Sequence, residues 1–221
     1  AEKKGRALLA AARDAMGGAA VMSVKDYTET GSMNISLGEN EIAMQRETTQ
    51  SLTGKVLNKM QTPMGEMVQG YDGQVAWMQT PQGTRELPAS QKEEFDNSLF
   101  RETLWLLQNF DSGSLTVQAL GQSEADGKPA EGVAVTDPER KRQVKLYLDA
   151  ATKLPVKKVY TAAFMGPPGE IEEIYSDYRE VSGVKLPFKT QVFQNGQKRA
   201  EQTTTELKIN PGVPNSAYQK P

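Results

Sequence analysis

The side chains that most often do chemistry near neutral pH are missing from this sequence. Its 221 residues include no histidine and no cysteine. Histidine is the usual general base, and histidine and cysteine are the usual zinc and copper ligands. Serine–histidine and cysteine–histidine nucleophile systems, ordinary zinc sites and disulfides are thereby excluded from the chain. Carboxylate chemistry and all-oxygen cation sites remain. Glu170, Glu172 and Glu173 form the most evident acidic cluster. They flank a strand, where solvated charge is the default. No Asp-rich loop has EF-hand spacing, and neither GxxxxGK[ST] nor GxGxxG is present. The chain reads as non-catalytic and free of cofactors, with room left for a catalytic domain upstream in a longer protein.

Two other residue classes carry chemical information. The formal charge is −2, from 26 basic and 28 acidic residues, which leaves no basic face for nucleic acid. The run Arg140-Lys141-Arg142 follows Asp137-Pro138 and reads as a solvated hairpin tip. Nine methionines are present, and Met60, Met64, Met67, Met78 and Met165 fall in or beside expected strands. Thioether side chains adapt to irregular apolar ligands. They fill gaps in an ordinary core equally well.

The elements that would position these residues are mostly strands. Glu2 to Met16 is expected as a helix, with Ala7, Leu8, Ala11, Ala12 and Ala15 at helical spacing and Gly17-Gly18 as its stop. Val24 to Leu37 and Ile42 to Leu52 form a strand pair, followed by strands at Lys55 to Gln61, Glu66 to Tyr71 and Gln74 to Gln79. Asp72-Gly73 is a strong hairpin signal because both central positions favour φ > 0. In the last of these strands Val75 and Trp77 share one face, while Ala76 and Met78 share the other.

Ser90 and Glu93 then make a capping-box pair. The helical segment after them is apolar over more than one stripe, through Leu99, Phe100, Leu104, Trp105, Leu106, Leu107 and Phe110. Such a helix is either a buried core element or the roof of a cavity. From Leu115 to Asn210 hairpin follows hairpin. Val144, Leu146 and Leu148 alternate inward, and Val156 to Phe164 is the next strand. Ile171 and Ile174 could both face inward only across a bulge near Glu172-Glu173. Asn195-Gly196 marks the final hairpin, and the tail from Pro211 is expected to be extended or loose.

No stretch approaches the ~18 apolar residues of a membrane span. The sequence begins at Ala1 and not at Met, which suggests a removed leader or an excised fragment. The absence of cysteine fits an envelope protein.

Tyr71-Asp72-Gly73-Gln74-Val75-Ala76-Trp77 resembles a "DG…W" hairpin of the periplasmic lipoprotein carriers of the LolA/LolB superfamily. Leu146-Tyr147-Leu148-Asp149, Leu154-Pro155-Val156-Lys157 and Asp177 to Pro187 resemble that superfamily's later strands. Lys4 to Leu9, Ala15 to Gly18, and Ile209 to Val213 with Tyr218 and Pro221 resemble the module found after bacterial zinc peptidases of the pitrilysin/insulinase type.

The superfamily resemblance implies a mainly β fold with helices (α+β). Its core is a strongly curved antiparallel sheet, an incomplete barrel covered by a helical lid. One domain would span 1–221, with an N-terminal helix at 1–18, a helical insertion at 89–111 and an extended tail at 211–221. In the carriers the concave face holds lipoprotein acyl chains. Trp77 matches the family's tryptophan, and Phe95 to Phe110 takes the place of the lid. The carriers also have an arginine before a proline that latches the lid; this chain has Thr49-Gln50-Ser51-Leu52-Thr53 thereabouts.

The implied partner is an apolar ligand such as a lipid or acyl chain, in a periplasmic or envelope setting, with a zinc-peptidase domain upstream. Strand parity and helix spacing suggest its contacts. Val75 and Trp77 come from the first meander, and Leu99, Leu104, Trp105, Leu107 and Phe110 from the helical insertion. Val144, Leu146, Leu148 and Phe164 come from the second meander. The alternative is a docking domain of a zinc peptidase with a filled core and no ligand.

Overall fold

The computed structural model describes every residue except Met165. That methionine, expected beside a strand, lies outside the described residues. Helices α1 (Glu2–Met16) and α2 (Ala19–Met22) precede six strands: β1 (Asp26–Leu37), β2 (Asn40–Ser51), β3 (Lys55–Thr62), β4 (Gly65–Tyr71), β5 (Ala76–Thr80) and β6 (Gly83–Glu86). Helices α3 (Ala89–Phe100) and α4 (Thr103–Asn109) follow. The rest is β7 (Thr116–Ala125), β8 (Lys128–Asp137), β9 (Arg142–Asp149), β10 (Pro155–Ala162), β11 (Gly169–Val181), β12 (Val184–Gln194), β13 (Gln197–Ile209) and a 3-10 turn at Asn215–Tyr218.

The chain divides into two compact units. The first comprises Ala1–Ser23 and Thr103–Glu201; the second comprises Val24–Glu102 and Gln202–Pro221. Strand β13 contributes to both, its early residues to the first unit and its later residues to the second. The strand order is β6-β5-β4-β3-β2-β1-β13-β12-β11-β10-β9-β8-β7, the pairings described are antiparallel, and β6 and β7 stand at opposite ends of it. An open, mainly antiparallel sheet with few helices is the expected fold class.

Local chemistry explains the hairpins. Asn195 and Gly196 both take φ > 0, as do Asp126 and Gly127, which suits the right-handed twist of the flanking strands. At Asp72-Gly73 only the glycine does so. There the Asp72 carboxylate accepts hydrogen bonds from the Gln74 and Val75 amides at 2.8 and 2.7 Å, and this side-chain turn replaces the expected pair of left-handed residues.

In the first unit α1 buries Leu8, Leu9, Ala12 and Met16. Gly5 lets it lie against β7, since a Cβ there would meet the Ala119 amide nitrogen at 2.9 Å. The Arg6 guanidinium donates to the carbonyls of Phe110 and Leu115, tying α1 to the end of α4. Burying each large apolar side chain contributes roughly 1.5–3 kcal/mol.

Several expectations are corrected. The helical insertion is two helices, broken at Arg101-Glu102, and the break coincides with the boundary between units. Helix α3 starts at Ala89 with Pro88 as its N-cap residue, so Ser90 lies inside the helix and does not cap it. Strand β11 keeps continuous register through Glu172 and Glu173 with both neighbours. No bulge falls there: Ile171 is buried, and Ile174 points to the other face. The register shifts lie instead between Pro155 and Lys157, and between Ala119 and Gly121. Strand β6 was not expected. The tail is held down, with Tyr218 only 1% exposed.

Gly31 is the tightest backbone contact in the second unit. A Cβ there would lie 1.9 Å from the Thr203 carbonyl oxygen, an atom that cannot move without its strand. Gly31→Ala should therefore lower stability by about 2–3 kcal/mol in urea unfolding with the m-value unchanged. Gly113→Ala, which meets nothing within 4 Å, should stay within about 0.5 kcal/mol.

Candidate apolar-ligand face

Antiparallel partners directly opposite each other share a sheet face, so the register of β1 to β5 sorts the second unit's side chains row by row. Tyr27, Gln50, Val56, Tyr71 and Ala76 form one row. The next holds Glu29, Thr48, Asn58, Gln69 and Met78. The third holds Gly31, Arg46, Met60 and Met67, and the fourth opposes Met33 to Met44. Ile35 opposes Ile42 beyond them. Five of the nine methionines thus fall on one face of one sheet. All five are partly exposed.

Helix α3 is fastened over one end of this face. Phe95 stacks on Tyr71 with ring centroids 5.4 Å apart. The Tyr71 hydroxyl donates to Asp96 at 2.9 Å, and Tyr27 donates to Glu102 at 3.0 Å. Burial first, then the nearby Glu102 carboxylate, pushes the Tyr27 phenol far above its ordinary value, so it stays a donor. The methionine rows continue past the helix contacts.

One ion pair sits among the methionines. Arg46, 7% exposed, reaches Glu29 at 2.8 Å, and Thr204 of β13 donates to the same carboxylate. The Arg46 Nε has no hydrogen-bond partner among the described residues.

One end of the opposite face of the same strands is covered by the tail. Trp77 lies there, 2% exposed, with its indole over the bare backbone of Gly70, where a Cβ would come within 2.2 Å of the ring. Its Nε1 donates to the Tyr218 carbonyl at 2.8 Å. Lys55 reaches Asn215 at 2.6 Å, the Val213 amide donates to Asp26 at 3.0 Å, and Lys220 pairs with Glu86 at 3.1 Å. Burial, then the charge of Asp26, pushes the Tyr218 phenol up to about 12.

The expected ligand contacts fall into both units. Val75, Trp77 and Leu99 belong to the second; Leu104, Trp105, Leu107, Phe110, Val144, Leu146, Leu148 and Phe164 belong to the first. Val75 precedes β5, and Leu99 lies on α3 beside Gly54. Leu104, Leu107, Val144, Leu146 and Leu148 are 0% exposed and Phe110 is 1% exposed. Trp105 and Phe164 are partly exposed, and Phe164 follows the end of β10.

Sequence reasoning passed over Met33, Met44, Arg46 and Lys158. Parity around the β1–β2 turn could have paired the two methionines. Nothing local marks Arg46 or Lys158 as buried.

In the first unit Glu173, read from sequence as solvated, belongs to a buried network. Lys158 approaches it at 3.2 Å, Tyr160 donates to it at 2.6 Å, and Tyr175 donates to it as well. Burial alone would raise its pKa, but the Lys158 ammonium and the two phenols outweigh that and hold the carboxyl below its usual range. Among the described residues, no group of three or more acidic, histidine or cysteine side chains could hold a metal ion.

No protein-family model and no curated protein matches this chain. Solved structures do. A Vibrio parahaemolyticus domain described as an outer membrane lipoprotein-sorting protein aligns with TM-score 0.66 and 10% identity, over 99% of this chain and 97% of its own. A LolA superfamily protein from Nitrosomonas europaea gives 0.66 and 12% identity, over 98% and 97%. A DUF1329 family protein from Desulfovibrio piger gives 0.64 and 13%, over 97% of each chain. At such identities the likeness concerns the fold, and the fold is LolA-like.

Glu173 has a consequence for acid stability. Its folded pKa lies below its unfolded one, so the unfolded chain takes the proton first. Its contribution is complete above about pH 5 and is lost as pH falls through the folded value. Glu173→Gln should cost about 1–3 kcal/mol at neutral pH and flatten the fall of Tm between about pH 5 and pH 2. An unchanged acid slope would remove the carboxylate from this role.

Proposed function

We propose that this chain is a non-catalytic module that seats an apolar ligand, a lipid or acyl chain, on the methionine face of its second unit. The observation that carries the reading is the alignment of Met33, Met44, Met60, Met67 and Met78 on one partly exposed face with α3 fastened at its end. Methionine has three rotatable bonds and a polarisable sulfur, so such a face can reshape around a chain of no fixed form. Each buried methylene contributes about 0.8 kcal/mol, so half an acyl chain would bring several kcal/mol. In this reading Leu99 borders the seat, while Trp77 works from the other face by anchoring the tail.

The LolA-like fold supports the reading, since one structural neighbour is described as lipoprotein-sorting. The same support extends to an envelope location. The terminal segments Lys4 to Leu9 and Ile209 to Val213 support a place in a longer, peptidase-like envelope protein. A second reading, a docking domain with a filled core, is favoured by the 0% exposure of Leu104, Leu107, Val144, Leu146 and Leu148. Side chains lining a chamber wide enough for a methylene would present surface that a water molecule could touch. The two readings concern different units and make different predictions.

Native mass spectrometry of the purified protein, with organic extraction, separates them. The expected result is a discrete added mass of lipid size, or uptake of added palmitate or phosphatidylglycerol. The double substitution Met60→Glu, Met67→Glu should weaken uptake at least tenfold with Tm shifted by only a few degrees, because both sites are partly exposed. A clean mass that refuses both lipids would favour the filled-core docking domain.

A further inference from the structure

We propose that Arg46 is the headgroup anchor of the methionine face and that it selects a neutral acyl carbonyl, an ester or amide, over a free carboxylate. The inference rests on the apolar-ligand reading and specifies its ligand class.

The geometry around Arg46 supports each part of this. Its guanidinium carries five N–H donors in a planar fork. Nη2 and Nη1 engage the Glu29 carboxylate at 2.8 and 3.4 Å. Nε is buried and has no acceptor among the described residues. An unpaired buried donor of a charged group is costly, and a ligand acceptor that meets it gains accordingly. Directly opposite Arg46 on β1 is Gly31, which offers no side chain, and opposite it on β3 is Met60. In that row the side chain beside Arg46 is therefore a flexible thioether. Met67 continues the row, so a chain held by its carbonyl at Nε would run onto apolar neighbours.

Charge decides which acceptor fits. Glu29 already neutralises Arg46, and Thr204 donates to the same carboxylate. An incoming carboxylate would face Glu29 at close range in a desolvated setting, where like charges repel strongly. A carbonyl oxygen accepts the same N–H without bringing charge.

The test is isothermal titration of the intact chain with three sixteen-carbon probes presented from cyclodextrin: methyl palmitate, palmitate and hexadecane. The wild-type protein should bind methyl palmitate about tenfold more tightly than palmitate or hexadecane, as one charge-assisted hydrogen bond warrants. Arg46→Met should remove the ester's advantage and leave hexadecane binding intact. Glu29→Gln, which uncovers the Arg46 charge, should reverse the order so that palmitate binds more tightly than the ester. This reversal would not follow from a merely structural ion pair, and it keeps the test decisive if Arg46→Met fails to fold. Equal affinity for ester and acid in both wild type and Glu29→Gln would overturn the anchor while leaving the apolar seat standing. Failure of all three probes to bind would overturn the seat itself and the anchor with it.

Discussion

The strict two-residue alternation of β1 to β5 is the constraint on which the second unit depends. Every cross-strand pair in that ladder is antiparallel and in unbroken register, so each residue is assigned to one face by parity alone. A slip of one residue would send Met33, Met44, Met60 and Met67 to the tail's face and bring Trp77 to the face of α3. Two features pin the register. Gly31 admits the Thr203 carbonyl only where no side chain exists, and Gly70 admits the Trp77 indole on the same terms. The tail then covers one end of one face by hydrogen bonds to Trp77, Lys55 and Asp26, and the other face keeps its thioethers within reach of solvent.

Each unit also holds an ion pair whose cation is largely withdrawn from water, and the two differ in how well they are satisfied. Removing two charges from water is offset only when hydrogen bonds complete the pair. Glu173 gains Lys158 and two phenols, a closed arrangement suited to holding β10 against β11. Arg46 gains Glu29 on two nitrogens and leaves its third position open. The first network reads as structural completion, the second as a charged point beside a row of methionines.

Much of this was legible from residue types. The alternation of Val144, Leu146 and Leu148, the Asn195-Gly196 turn and the N-terminal helix all follow from local periodicity, and all three stand in the structure. The parity that set Val75 and Trp77 against Ala76 and Met78 was also readable, but which face α3 covers was not. That depends on Phe95 meeting Tyr71, a contact between residues of different elements. The break at Arg101-Glu102 was hidden because the apolar residues resume at Leu104 after only three polar positions, with no proline or glycine to mark a stop. Glu173 looked solvated because its partners, Lys158 and Tyr160, come from the neighbouring strand. The tail, with its prolines, gives no local sign that Tyr218 would be buried.

The central claim is that an acyl chain lies along the methionine rows of β1 to β4. A photoreactive sixteen-carbon acyl ester carrying a diazirine, irradiated with the intact protein and mapped by peptide mass spectrometry, tests it directly. The account predicts insertion into peptides containing Met33, Met44, Met60 and Met67, suppressed by excess unlabelled ester. Insertion confined to peptides from α4 and β9, or labelling that excess ester does not suppress, would contradict it.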